Sequence, residues 1–196
     1  DGMDVLDYGC GKSSTIAMLL NKVDINAHAF DVSANYIPFW ERFLKDSNWS
    51  TYQTPESWNG KFDLITSFFS LEHITSLYPV MGNIKNLLKD NGTFYAVIPN
   101  CLSNIADLIV IDHPNHFTKG SIVKLFSEHG LTVESIDDQV HRGALVIVAK
   151  NKQVDVLAPQ DDAFLYPEVK KISQFWLDAR KKIRDFESIN QGEVVA

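Results

Sequence analysis

An α/β fold, a mostly parallel sheet with helices on both faces, is what this sequence predicts, and three observations carry that expectation. Short β-prone runs alternate with stretches of helical periodicity, the pattern of parallel strands joined by crossover helices. The first run ends in the glycine turn Gly9-Cys10-Gly11, and a helix start follows at once. The last two runs face each other across His141-Arg142 as a hairpin-like pair, so the final strand must enter antiparallel.

Taken in order, residues 3–8 (MDVLDY) form the first strand, and Ser13 or Ser14 caps the helix TIAMLLNKV. A second strand over 25–30 ends at Asp31. Residues 33–46 place Ile37, Trp40, Phe43 and Leu44 on one helical stripe, with Pro38 tolerated only in the first turn. A weak strand near 50–53 precedes Pro55, and FDLITSFF (62–69) reads as a buried strand. A helix over 76–89 carries Leu77, Val80, Met81, Ile84, Leu87 and Leu88; KDNG (89–92) is a turn, and TFYAVIP (93–99) is the next strand. A loop and short helix lead to DHPNHFTKG, where Thr118 caps a helix over 121–129 and Gly130 stops it. LTVESIDDQV and GALVIVAK make the closing pair. No internal repeat and no long linker interrupt the first 150 residues.

Composition narrows the class. The 196 residues are 45% hydrophobic and 22% charged, with 10 Gly and 7 Pro, which excludes disordered and collagenous chains. The two cysteines, Cys10 and Cys101, provide neither a disulfide framework nor zinc spacing, and fit a reducing compartment. No apolar run reaches the roughly 20 residues that span a bilayer, so a cytoplasmic location is expected. A net charge of -7 argues mildly against a nucleic-acid coat.

The chemistry-bearing motif is DYGCG (7–11). Its glycines let backbone approach a ligand at the carboxyl end of a strand, and Asp7 offers an acceptor for an ammonium or hydroxyl. Asp31 lies 20 residues past Gly11, the spacing at which a carboxylate accepts the hydroxyls of a ribose. A dehydrogenase fingerprint would need a third glycine where Ser14 stands, and Lys12 is in no phosphate-loop frame.

VLDYGCGKS resembles the first motif of class I S-adenosylmethionine-dependent methyltransferases. FDLITSFFSLEHI (62–74), LLKDNGTFYAVIPN (87–100) and HFTKGSIVKLFSEHGL (116–131) resemble later blocks of that family, the last one of its small-molecule branch. The resemblance covers residues 3–150 and implies a seven-stranded Rossmann-like methyltransferase sheet, mostly parallel with an antiparallel last strand, plus a C-terminal helical extension. It implies S-adenosylmethionine as cofactor. Asp7, with the backbone of Tyr8, Gly9 and Gly11, would hold the methionine portion, Asp31 the ribose, and Val32 the adenine face. Thr54-Pro55 would meet the adenine edge, although Thr54 stands where the family has Asp. Ser67 and Phe68 would lie beside the sulfonium, whose charge favours an aromatic face.

Methyl transfer needs an in-line acceptor, and a base where the acceptor carries a proton. Asp112-His113 with Phe117-Thr118 is similar to the acidic-His loop of bacterial nucleotide-sugar C-methyltransferases, which makes His113 the base and Asp112 its orienter. The other reading has His116 capping or packing the next helix and His113 merely exposed; His73 packs or bonds at a helix start. No metal site is expected, though His113 and His116 could share an ion if a third ligand converged.

From Pro167 one long helix carries the stripe Val169, Ile172, Phe175, Trp176, Ala179, Ile183 and Phe186 beside a basic face of Lys170, Lys171, Arg180, Lys181, Lys182 and Arg184. The expected organisation is a methyltransferase domain over 1–150 and a loop-and-helix appendage over 151–196. The abrupt first strand and the strand-like QGEVVA at the end suggest a fragment. A missing second domain or a homodimer partner would then pack against it. The expected function is transfer of a methyl group to a small-molecule acceptor, a sugar or nucleotide-sugar. A catalytically silent binding domain and an RNA-modifying enzyme are the alternatives, with nucleic acid disfavoured by the acidic core.

Overall fold

In the computed structural model, residues 2–152 and 165–191 are described. The chain separates into a unit of residues 1–160, which holds the whole sheet, and a second of residues 161–196. Seven strands form one sheet: β1 (Met3–Tyr8), β2 (Ile25–Asp31), β3 (Trp49–Thr51), β4 (Phe62–Phe68), β5 (Leu88–Pro99), β6 (Thr132–Asp137) and β7 (Ala144–Lys150). Their order is β3-β2-β1-β4-β5-β7-β6. All pairings from β3 to β5 are parallel, and β7 inserts antiparallel between β5 and β6. The order reverses at β1, next to β4, so the carboxyl ends of these strands open a crevice suited to a ligand.

Alternation along the strands fills two faces. Leu6, Ile65, Phe94 and Ile98 point to one face, where they pack with Met81 and Ile84 of α3 (Leu77–Leu87) and Ile122 and Phe126 of α4 (Lys119–Glu128). Val5 and Ala27 point to the other and meet Ile16 of α1 (Ser14–Leu20). Thr118 caps α4 in a reciprocal box with Ser121, as its sequence position predicts, although the helix starts two residues earlier than expected.

Three local expectations are corrected. The stripe over 33–46 is no continuous helix: a 3-10 turn, Ala34–Tyr36, leads into a single turn, α2 (Ile37–Trp40). Pro38 blocks N-terminal extension, and Trp40 is pulled inward to donate its Nε1–H to the Gly11 carbonyl at 2.8 Å. KDNG is a kink inside β5, with Asn91 at φ +63°, rather than a turn before the strand. Ser13 does not cap α1 with its side chain, because its hydroxyl is committed to Asp7.

In the second unit, α5 (Leu165–Ile189) starts two residues before Pro167, which falls in its first turn. Among its apolar stripe Ile172 is buried, while Phe175, Ile183 and Phe186 are exposed. The loop expected over 151–166 lies mostly outside the described residues, as does all but the first residue of QGEVVA. Among the described residues no helix is long and apolar enough to cross a membrane.

Candidate active site

The crevice at the carboxyl ends of β1, β2 and β4 is a cavity of about 760 Å³. Tyr8, Gly9 and Gly11 form its floor, Asp31, Val32, Ser33 and Tyr36 one wall, and Phe68, Phe69, Ser70 and His73 the other. Six expected cofactor residues are therefore brought together: Tyr8, Gly9, Gly11, Asp31, Val32 and Phe68.

The glycine loop is held by backbone. Gly9 and Cys10 both donate N–H to the Phe30 carbonyl, at 2.8 and 3.1 Å. Gly9 adopts φ +69°, and a Cβ there would fall 1.9 Å from Ser70 Oγ and 2.7 Å from Ser70 Cβ. Both strain and collision thus demand glycine. Gly9→Ala is expected to lower stability by at least ~2 kcal/mol. Adding Ser70→Gly, which removes both struck atoms, should recover the collision but not the φ cost. Denaturant unfolding of the single and double variants checks this, and no recovery in the double would refute the collision.

The wall carboxylate is preset. Asp31 Oδ2 accepts from Gly11 N–H at 2.8 Å and Oδ1 from Ser33 N–H at 2.9 Å. Each oxygen retains a lone pair for a diol hydroxyl. Asp7 lies behind the floor rather than on it: 3% exposed, it accepts from Ser13 Oγ at 3.0 Å and from Thr66 Oγ1 at 3.1 Å. Burial pushes its carboxyl up from 3.8 to about 6, against the two hydroxyl hydrogen bonds that lower it and with the charge of Asp31 that raises it. Thr54 and Pro55 do not line the cavity; Thr54 pairs with Asn83, 3.0 Å away. Ser67 is buried on the α3–α4 face of β4, and its Oγ has no partner among the described residues. Burial also pushes the Cys10 thiol far up, so it is no nucleophile.

The histidine loop departs from its expected wiring. Asp107, 1% exposed, accepts from both imidazoles: His113 Nδ1–H reaches Oδ1 at 2.7 Å and His116 Nδ1–H reaches Oδ2 at 2.8 Å. Asp112 does not orient His113; its carbonyl accepts from His73 Nδ1–H at 2.9 Å. The rings of His73 and His113 meet edge to face at 4.6 Å, and His73 lines the cavity. Asn115 clamps the loop by donating to the carbonyls of Leu71 and Ile74 at 3.1 and 2.6 Å. Asp107, Asn115, Ser13 and Trp40 also shape the site, and no motif of the sequence assigns them to it. Asp107 sits in the apolar run IADLIV, with no motif to mark it.

A family model for a methyltransferase domain matches residues 1–136 of this chain. The chain belongs to that methyltransferase-domain family. Its fold, antiparallel β7 included, is the one that the sequence resemblance implies. The C-methyltransferase NovU of Streptomyces niveus is 31% identical over 88 residues, 42% of this chain. The chain spans about a fifth of that relative's length, 21%. Among solved structures, an S-adenosylmethionine-dependent methyltransferase from Mesorhizobium loti aligns with a TM-score of 0.60 at 13% identity, over 76% of this chain and 91% of its own. The CurJ carbon methyltransferase aligns with a TM-score of 0.57 at 19% identity, over 78% of this chain and 49% of its own.

The methyltransferase cavity fits its cofactor. The glycine floor leaves space where a side chain would project, since a Cβ on Gly11 would have only Tyr36 Cζ, 3.9 Å away, within reach. The anchored Asp31 carboxylate suits a vicinal diol, and the aromatic faces of Tyr8, Phe30 and Phe68 suit an adenine and a sulfonium.

Proposed function

We propose that this domain transfers a methyl group from S-adenosylmethionine to carbon in a small-molecule acceptor, a sugar or nucleotide-sugar. One observation carries the reading: a buried carboxylate, Asp107, holds two histidines beside the cofactor cavity with their Nδ1 atoms engaged. The cofactor supplies an electrophilic methyl on its sulfonium. Asp31 would bind its ribose, Val32 its adenine, and Asp7 with the Tyr8–Gly11 backbone its methionine end; Phe68 would flank the sulfonium, while Thr54, Pro55 and Ser67 lie outside the cavity lining. Asp107 fixes the tautomer in which His113 Nε2 is free to take a proton from the acceptor, and stabilises the imidazolium that results. His116, on the same carboxylate, is the second candidate base, and Asp112 acts through His73. The partial similarity to NovU supports carbon as the acceptor atom. Division into a catalytic domain over 1–150 and an appendage over 151–196 belongs to the same proposal, as does a cytoplasmic setting, which the free Cys10 and Cys101 fit.

Calorimetry with S-adenosylhomocysteine and a panel of nucleotide-sugars with labelled cofactor tests it. His113→Ala is expected to bind S-adenosylhomocysteine like the parent and to lose roughly 100-fold or more of turnover. Unaltered turnover would remove His113 from the mechanism. No binding of either form of the cofactor would sink the proposal as a whole.

A further inference from the structure

Beside the cofactor cavity lies a set of groups that methyl transfer does not use together. Glu72 and His73 lie on the 3-10 turn after β4, and His113 on the loop after β5. One carboxylate oxygen and two imidazole nitrogens there lie within 4.8 Å of one another. Glu72 is 1% exposed, and its Oε2 has no hydrogen-bond partner among the described residues. A buried carboxylate oxygen without a donor is costly, and chains that keep one supply it with a cation or a proton. Among the described residues no lysine or arginine forms an ion pair with it; burial raises its pKa, the neighbouring His73 and His113 lower it, and the further carboxylate Asp107 raises it.

The two imidazoles are each held by a hydrogen bond. His73 Nδ1–H donates to the Asp112 carbonyl at 2.9 Å, and His113 Nδ1–H to Asp107 Oδ1 at 2.7 Å. Each bond fixes the tautomer that leaves Nε2 with a lone pair. A carbonyl or carboxylate behind the ligating imidazole is the outer shell that metal-binding histidines have. Asn115 ties the two carriers together, since it belongs to the His113 loop and donates to Leu71 and Ile74 on either side of Glu72-His73.

We infer that Glu72, His73 and His113 form a binding site for one first-row divalent metal ion. One carboxylate oxygen and two imidazole nitrogens suit Zn²⁺, Co²⁺, Mn²⁺ or Fe²⁺ better than a hard cation such as Ca²⁺. Three protein ligands leave coordination positions for water or an acceptor oxygen, and His73 places the site on the cavity wall. This site does not depend on the methyl-transfer reading. His113 serves as the base only while no ion is bound; with an ion bound the role passes to His116, which is not in the cluster.

The test is Zn²⁺ titration of the untagged, chelator-stripped full chain by calorimetry, with Co²⁺ absorption as the optical counterpart. One ion per chain is expected, at a roughly micromolar dissociation constant or tighter. Glu72→Gln and His113→Gln should each weaken it by tenfold or more, and His141→Gln, at an exposed position, should leave it unchanged. S-adenosylhomocysteine titration of the same samples shows that each variant is folded. Absence of saturable binding, or binding that survives in the Glu72→Gln/His113→Gln double variant, overturns the site and assigns Glu72 to a proton on one of the imidazoles. Cofactor binding without ion binding would sink this site alone; ion binding without cofactor binding would sink only the proposed function.

Discussion

Asp31→Ala is expected to weaken S-adenosylhomocysteine binding by at least roughly 100-fold. Hydrogen bonds to a charged group contribute about 1.5–3 kcal/mol each, and a ribose offers two hydroxyls, while tenfold in affinity corresponds to about 1.4 kcal/mol. The loss has a second source. Asp31 also receives the N–H groups of Gly11 and Ser33, so the alanine variant frees the glycine loop from the wall of its own cavity. Asparagine is no substitute, because both carboxylate oxygens face backbone donors and one would meet an amide NH₂ instead. Calorimetry and thermal unfolding together separate the roles. A purely structural Asp31 would lower the melting temperature while leaving the affinity of the folded protein intact, and that result would remove the ribose assignment.

The same pair shows what the sequence made legible. A spacing of 20 residues between Gly11 and Asp31 is a topological statement, since one crossover helix separates two adjacent parallel strands of fixed length. The structure turns that spacing into a hydrogen bond. Strand alternation and the Thr118 cap were readable because each rests on local periodicity or on a side chain bonding its own helix. Asp107 was not readable. Its function is to receive two histidines from six and nine residues away, across a loop whose path is set by Asn115 and the Leu71–Ile74 carbonyls. Adjacency in sequence favoured Asp112 as the partner of His113, yet neighbours in a loop need not face each other. Trp40 illustrates the same limit, because its helical stripe was visible while its bond to Gly11 was not.

Asp7→Asn is expected to stabilise the fold and weaken the cofactor. The Asp7 carboxyl stands at about 6 against an ordinary 3.8, because burial penalises its charge. Between about pH 4 and 6 the folded chain therefore holds a proton that the unfolded chain has released. Stability falls as pH rises through that window, by up to about 3 kcal/mol, and this contribution is level above it. Asparagine has no charge to desolvate. Its carbonyl can accept from Thr66, and its NH₂ can donate to the Ser13 hydroxyl, so both observed partners are kept. The variant should then lose the pH dependence and gain about 1–3 kcal/mol at pH 8. Binding moves the other way. An ammonium at the methionine end of the cofactor favours ionised Asp7, so binding to the parent should release a proton near pH 6 and tighten as pH rises through that value. Asp7→Asn should bind about tenfold or more weakly at pH 8 and show no such tightening. Measured together, chemical unfolding and calorimetry in buffers of different ionisation enthalpy decide the matter. A variant that is more stable yet binds equally well would leave Asp7 as a scaffold for Ser13 and Thr66, and would pass the methionine end to the loop backbone alone.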